Sequence, residues 1–140
     1  MKKTLAQPVS ILADIPTNLP SLTRAIKIQK RCATLGFDWQ NLTPVVEKVH
    51  EEIKEVMEEA LAVDINQTRV EEEIGDLLFA VVNLARHLEC NPEEALCKAN
   101  NKFINRFTAV EQQAMLNGKQ LTEYNLDELE HFWQQAKTDK

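Results

Sequence analysis

Two pairs of carboxylates carry the most chemistry in this sequence, Glu52-x-x-Glu55 and Glu73-x-x-Asp76, with seventeen residues between Glu55 and Glu73. Residues three apart on a helix are surface neighbours, so each pair presents two carboxylates together. Four carboxylates brought close repel, and burying them uncompensated costs several kcal/mol or shifts their pKa values strongly. A hard divalent cation removes that cost. All-oxygen ligation suits Mg²⁺, with Mn²⁺ as a substitute, and partial ligation leaves positions for water and phosphate oxygens. Asp76 weighs most in this reading. It enters the apolar run LLFAVVNLA (77–85) with no cationic neighbour on its own helix, and a carboxylate buried there needs pairing or a metal. Charge runs are commonly solvated helix faces, and Glu47, Glu58 and Glu71 are assigned to such faces.

These groups must be positioned by helices. Only three glycines occur, no sustained alternation of β-branched residues appears, and helical periodicity recurs along the chain. The first helix is expected over about 20–35, ended by Gly36 in a left-handed conformation. The second spans about 42–62, with Pro44 in its first turn and Val45, Val49, Ile53, Val56 and Ala60 in one stripe. The third spans about 67–88. A fourth opens at Asn91-Pro92-Glu93-Glu94, which reads as N-cap, N1 proline and capping-box glutamate, and runs to about 116. Gly118 breaks it, and a short amphipathic helix over about 126–136 closes the chain. If the second and third helices pack antiparallel through the turn near Asp64, the two carboxylate pairs converge. The expectation is an all-α, four-helix-type bundle: one domain over 20–140 behind an irregular leader over 1–19.

The third helix is apolar nearly all round, so it needs cover on most sides, which points to an oligomer and most simply to a two-fold dimer. On its wheel Glu73, Asp76, Ala80, Asn83 and His87 form one polar line through an otherwise dry surface. Asn83, on that line, is a candidate substrate contact. The fourth helix offers the complementary charge: Lys98, Asn101, Lys102 and Asn105 share a face with Arg106 at its margin. Such a stripe either pairs with acids of a neighbouring helix or forms a cationic wall for phosphate oxygens. Trp39, in Gly36-Phe37-Asp38-Trp39, is a core anchor or a platform for a nucleobase.

Composition narrows the remaining classes. The chain has 140 residues, 16 Lys and Arg against 22 Asp and Glu, and eleven of those acids lie within 47–76. A weakly acidic chain with few aromatics is a poor nucleic-acid binder, despite the basic cluster Arg24, Lys27, Lys30 and Arg31. No apolar run approaches the roughly 18 residues of a membrane span. Met1-Lys2-Lys3 is not followed by the apolar stretch of a signal peptide. Three cysteines without Cys-x-x-Cys spacing suggest neither a disulfide framework nor a zinc site, and the cytoplasm is the expected compartment. Glu47-x-x-His50 is half of a di-iron signature without its second half, and His50-Glu51 lacks the second histidine of a zincin, since position 54 is Lys.

With these residues in view, the sequence resembles the MazG nucleoside triphosphate pyrophosphohydrolases, most closely the C-terminal half of their two-domain bacterial members. The matching stretches are LPSLTRAIKIQKR with GFDW, KVHEEIKEV, EEEIGDLLFAVVNLARHL and EEALCKANNKFINRF. The family's Glu-x-x-Glu, spacer, Glu-x-x-Asp motif falls on Glu52, Glu55, Glu73 and Asp76. The resemblance implies a dimeric all-α bundle that binds Mg²⁺ through these four groups and hydrolyses ribo- or deoxynucleoside triphosphates to monophosphate and pyrophosphate. Lys48, Lys102 and Arg106 match positions expected to meet phosphates, Trp39 a position in the base pocket, and Glu51 or Glu55 is the group to orient or deprotonate water. Two alternatives stand beside this: a relative specific for one metabolite, such as dUTP or phosphoribosyl-ATP, and a non-catalytic acidic helical dimer that binds a partner or metal.

Overall fold

The structure, a computed structural model, describes residues 9–138; positions 1–8 of the expected leader lie outside the described residues. Among the described residues there are five α-helices and no strand: α1 (Ser21–Ala33), α2 (Leu42–Ala60), α3 (Gln67–His87), α4 (Pro92–Leu116) and α5 (Leu126–Thr138). A single 3₁₀ turn, Leu121–Glu123, precedes α5. The chain forms two compact units, one ending at Glu93 and the other beginning at Glu94.

In the first unit α3 packs against α2 and α1. The end of α1 follows from Gly36, whose φ of +85° is open to glycine at no steric cost. Its N–H donates to the Ala33 carbonyl at 3.0 Å and that of Phe37 to the Cys32 carbonyl at 3.2 Å, the paired bonds of a Schellman motif. This turn sends Phe37, Asp38 and Trp39 back across the end of the helix. The same pairing closes α3, where the Glu89 N–H donates to Arg86 and that of Cys90 to Ala85, with Glu89 itself at φ +57°. Asn66 caps the start of α3 by accepting the Arg69 N–H at 3.3 Å. The connection 61–66 reverses the chain, so α2 and α3 run antiparallel and bring the two carboxylate-bearing segments together. Ile15, Ile26, Val45, Ala80 and Val82 are buried in this unit. Residues ahead of α1 are tied to it by Arg31, which donates to the Ile11 carbonyl and the Asp14 carboxylate, each at 2.6 Å.

The expected all-round burial of α3 is not reached within the first unit. Ile74, Leu78, Phe79 and Val81 stay 40–53 % exposed, because α1 and α2 do not cover these positions. Ile53 and Met57 of α2 are likewise exposed.

In the second unit the Phe103 ring of α4 meets Trp133 of α5 at 5.0 Å between centroids and Phe107 at 6.1 Å. The Tyr124 hydroxyl donates to the Ala114 carbonyl at 2.9 Å. No helix among the described residues is long and apolar enough to cross a membrane.

Candidate functional site

Three of the four expected metal ligands come together. One carboxylate oxygen from each of Glu52, Glu55 and Glu73 lies within 4.8 Å of the others. Glu52 is only 4 % exposed, and Glu55 and Glu73 are half-buried. Glu52 Oε1 is met by Lys48 Nζ at 3.0 Å, whereas Glu52 Oε2 and Glu73 Oε2 are buried without a hydrogen-bond partner. Buried polar atoms are almost always paired, so two orphaned carboxylate oxygens in one cluster are what a cation site provides. The donor set is all oxygen and fits a hard ion such as Mg²⁺.

The crowding is visible in the acid–base balance. Partial burial, then the Glu52 charge beside it, then a shared hydrogen bond with Glu73 push the Glu55 carboxyl up to about 7. Lys48 is held above its ordinary value, first by its bond to Glu52 and also by Glu51, which it meets at 3.5 Å.

Asp76 corrects one step of the sequence argument. It is exposed rather than buried, because α1 and α2 leave its side of α3 open. It stands outside the three-oxygen cluster, yet it lines the same cavity as Glu52 and Lys48. That cavity has a volume of about 640 Å³ and belongs wholly to the first unit. The rest of its wall is apolar at Ile28, Phe37, Trp39, Phe79 and Ala80 and polar at Gln29, Asn83, Asp38 and Arg86. Trp39 is 42 % exposed, so it is no core anchor; it faces the cavity.

A network that sequence reasoning missed holds this wall in place. Arg86 donates from both terminal nitrogens to Asp38, at 2.9 and 2.6 Å, and from Nε and one terminal nitrogen to Asn83 Oδ1, at 3.1 and 2.7 Å. His87 Nε2 lies 2.9 Å from Asp38 Oδ1. The Arg86 hydrogen bonds, opposed by partial burial and reinforced by His87, hold the Asp38 carboxyl down at about 2. The available signal was that Arg86 is the sole Lys or Arg between Arg69 and Lys98, at the end of an apolar run where a cation needs an acid.

The other candidates are placed as follows. Glu51 is exposed and paired with Lys48. Glu47, Glu58 and Glu71 are exposed, as expected of solvated faces. Lys98 and Lys102 are exposed and Arg106 half-buried on α4 in the second unit, and among the described residues none of them makes an ion pair.

Comparison with known proteins now bears on this arrangement. The family profile of the MazG nucleotide pyrophosphohydrolase domain matches residues 40–110, which includes both carboxylate pairs. A nucleoside triphosphate pyrophosphohydrolase of Escherichia coli K12 is 56 % identical over 128 residues, 91 % of this chain and 49 % of the relative. The nucleoside triphosphate pyrophosphohydrolase/pyrophosphatase MazG of Thermotoga maritima is 39 % identical, over 91 % of this chain and 48 % of its own. The Bacillus subtilis protein YabN, named as uncharacterized, is 40 % identical over 26 % of its length. The chain thus spans about half the length of the first two relatives, and about a quarter of the third.

Proposed function

The chain belongs to the MazG nucleotide pyrophosphohydrolase family, and from that premise we propose that it hydrolyses nucleoside triphosphates, ribo or deoxy, to the monophosphate and pyrophosphate. The observation that carries the proposal is the cluster of Glu52, Glu55 and Glu73, with two buried oxygens unpartnered, whose Glu52 also lines a cavity together with Lys48 and Asp76. Glu52, Glu55, Glu73 and Asp76 are the residues that hold Mg²⁺ in this reading, with Mn²⁺ as a substitute. The ion supplies charge neutralisation at the triphosphate and a lowered pKa for bound water.

The chain's own groups do the rest. Glu51, outside the ligand cluster, or Glu55, engaged with Glu52 and Glu73, is the group assigned to orient and deprotonate the attacking water. Lys48, next to the cluster, is assigned to phosphate oxygens, where charge-assisted bonds are strongest; for Lys102 and Arg106 on α4 the phosphate role rests on the family resemblance alone. Trp39 and Asn83 are assigned to the base end of the cavity.

The exposed apolar residues Ile74, Leu78 and Val81 recur at helical spacing along α3, and a second copy of the chain is their proposed cover, giving a homodimer with a four-helix-type bundle. The three free thiols, Cys32, Cys90 and Cys97, favour the reducing cytoplasm. The test of the site is a pair of amide substitutions, Glu52→Gln and Asp76→Asn. Each is expected to abolish nucleotide hydrolysis while circular dichroism shows unchanged helicity; full activity in both removes the assignment.

A further inference from the structure

Two amide side chains on the cavity wall have a polarity that their partners dictate. Gln29, on α1, is 7 % exposed, and its Nε2 donates to the Phe79 carbonyl at 2.9 Å. A carbonyl only accepts, so Nε2 must face Phe79 and Oε1 must face away from it. Oε1 is buried and has no partner among the described residues. Phe79 lies within α3, where its carbonyl already has the Asn83 N–H as its helical donor. Gln29 is therefore not needed to satisfy that carbonyl, and a role confined to packing does not account for its unpaired acceptor.

Asn83, 8 % exposed, is one helical turn beyond Phe79 on the same cavity wall. Its Oδ1 accepts two hydrogen bonds from Arg86. A guanidinium only donates, so Oδ1 must face Arg86, and the Nδ2 donors are turned from it. Arg86 is in turn pinned by both oxygens of Asp38.

We propose that Gln29 and Asn83 form an acceptor–donor pair of fixed polarity that reads the edge of the nucleobase, with Arg86 and Asp38 as the positioning residues that set Asn83. Gln29 Oε1 takes an N–H from the base, and Asn83 Nδ2 gives one to a ring nitrogen or carbonyl. The inference rests on the nucleotide substrate proposed above and deepens it. The ligand is a nucleoside triphosphate whose base carries an N–H donor beside an acceptor, either an exocyclic amine next to a ring nitrogen or a ring N–H next to a carbonyl. A triphosphate whose base lacks that donor leaves Gln29 Oε1 unpaired and is disfavoured.

Matched substrates test this: adenosine against purine riboside triphosphate, which lacks the amine, and uridine against N3-methyluridine triphosphate, which lacks the ring N–H. With the wild-type protein, kcat/KM should fall about tenfold or more on losing the donor in at least one pair. Gln29→Met should lower the donor-bearing member to the level of its partner, so that the discrimination collapses to about twofold or less. Arg86→Met should flatten the preference among bases, and a preference that survives in the folded variant removes Arg86 from the proposal. Equal kcat/KM within both pairs for the wild-type protein overturns the proposal without recourse to any variant, as does discrimination that survives in a folded Gln29→Met. If the wild-type protein hydrolyses none of the four, the reaction assignment fails by itself. The pair is then tested by calorimetry with the α,β-imido analogues of the same nucleotides and Mg²⁺: a tenfold affinity difference within a pair supports it, and equal affinities overturn it.

Discussion

Asp38→Asn isolates the contribution of the ionic anchor that ties the loop carrying Trp39 to the end of α3. In the folded protein the Asp38 carboxyl sits at about 2 instead of 3.8, chiefly through its hydrogen bonds with Arg86. At 1.36 kcal/mol per pH unit, that difference corresponds to about 2.5 kcal/mol favouring the charged, folded form. The side chain is 24 % exposed, so solvent screening reduces the figure to about 1–2 kcal/mol. Because the folded value lies below the unfolded one, this stabilisation is complete above about pH 5 and is lost as pH falls through about 2. Urea unfolding followed by circular dichroism should therefore show the variant less stable than wild type by about 1–2 kcal/mol at pH 7, a drop in Tm of about 3–8 °C. The gap should narrow steadily between about pH 4 and pH 2.5. A gap of the same size at pH 7 and pH 2.5, or none at pH 7, refutes the reasoning.

Three further outcomes follow from the same geometry. Glu55 is raised to about 7 in the metal-free fold, so its contribution is most favourable below about pH 4.5 and is lost as pH rises through about 7. Unfolding in EDTA should show wild type losing stability between pH 5 and pH 8 more than Glu55→Gln does, and Mg²⁺ binding near pH 6.5 should release protons, read as a calorimetric heat that depends on the buffer. Lys48→Met removes the partner of a carboxylate that is 4 % exposed and should cost about 1–3 kcal/mol without metal, part of it regained in Mg²⁺, as measured by urea unfolding in both conditions. Leu78→Glu places a charge on the exposed face of α3 and should sediment as a monomer in analytical ultracentrifugation where the wild type forms the proposed dimer, with little loss of helicity.

Local structure was largely legible because its determinants are local. Gly36 and Gly118 both adopt positive φ and end α1 and α4, and Pro92 begins α4 as an N1 proline should. The carboxylate pairs were legible for the same reason: spacings of three set each pair on one helix, and the antiparallel return of α3 joins Glu73 to Glu52 and Glu55. The burial expected of Asp76 was not legible, because an all-apolar helix reveals how much cover it needs and not which element supplies it. Asp38 and Arg86 are 48 residues apart, and helical periodicity carries no information about which loop crosses a helix end. Gln29 was passed over because a glutamine on an amphipathic helix reads as solvated, and its burial is decided by α3.

Product identity separates the proposed reaction from every rival. The purified chain is incubated with each ribo- and deoxynucleoside triphosphate and Mg²⁺, and pyrophosphate and orthophosphate are assayed separately. Pyrophosphate and nucleoside monophosphate should form in equal amounts, and both should be lost in Glu52→Gln. Orthophosphate with nucleoside diphosphate, or no product across the whole panel, contradicts the proposed reaction.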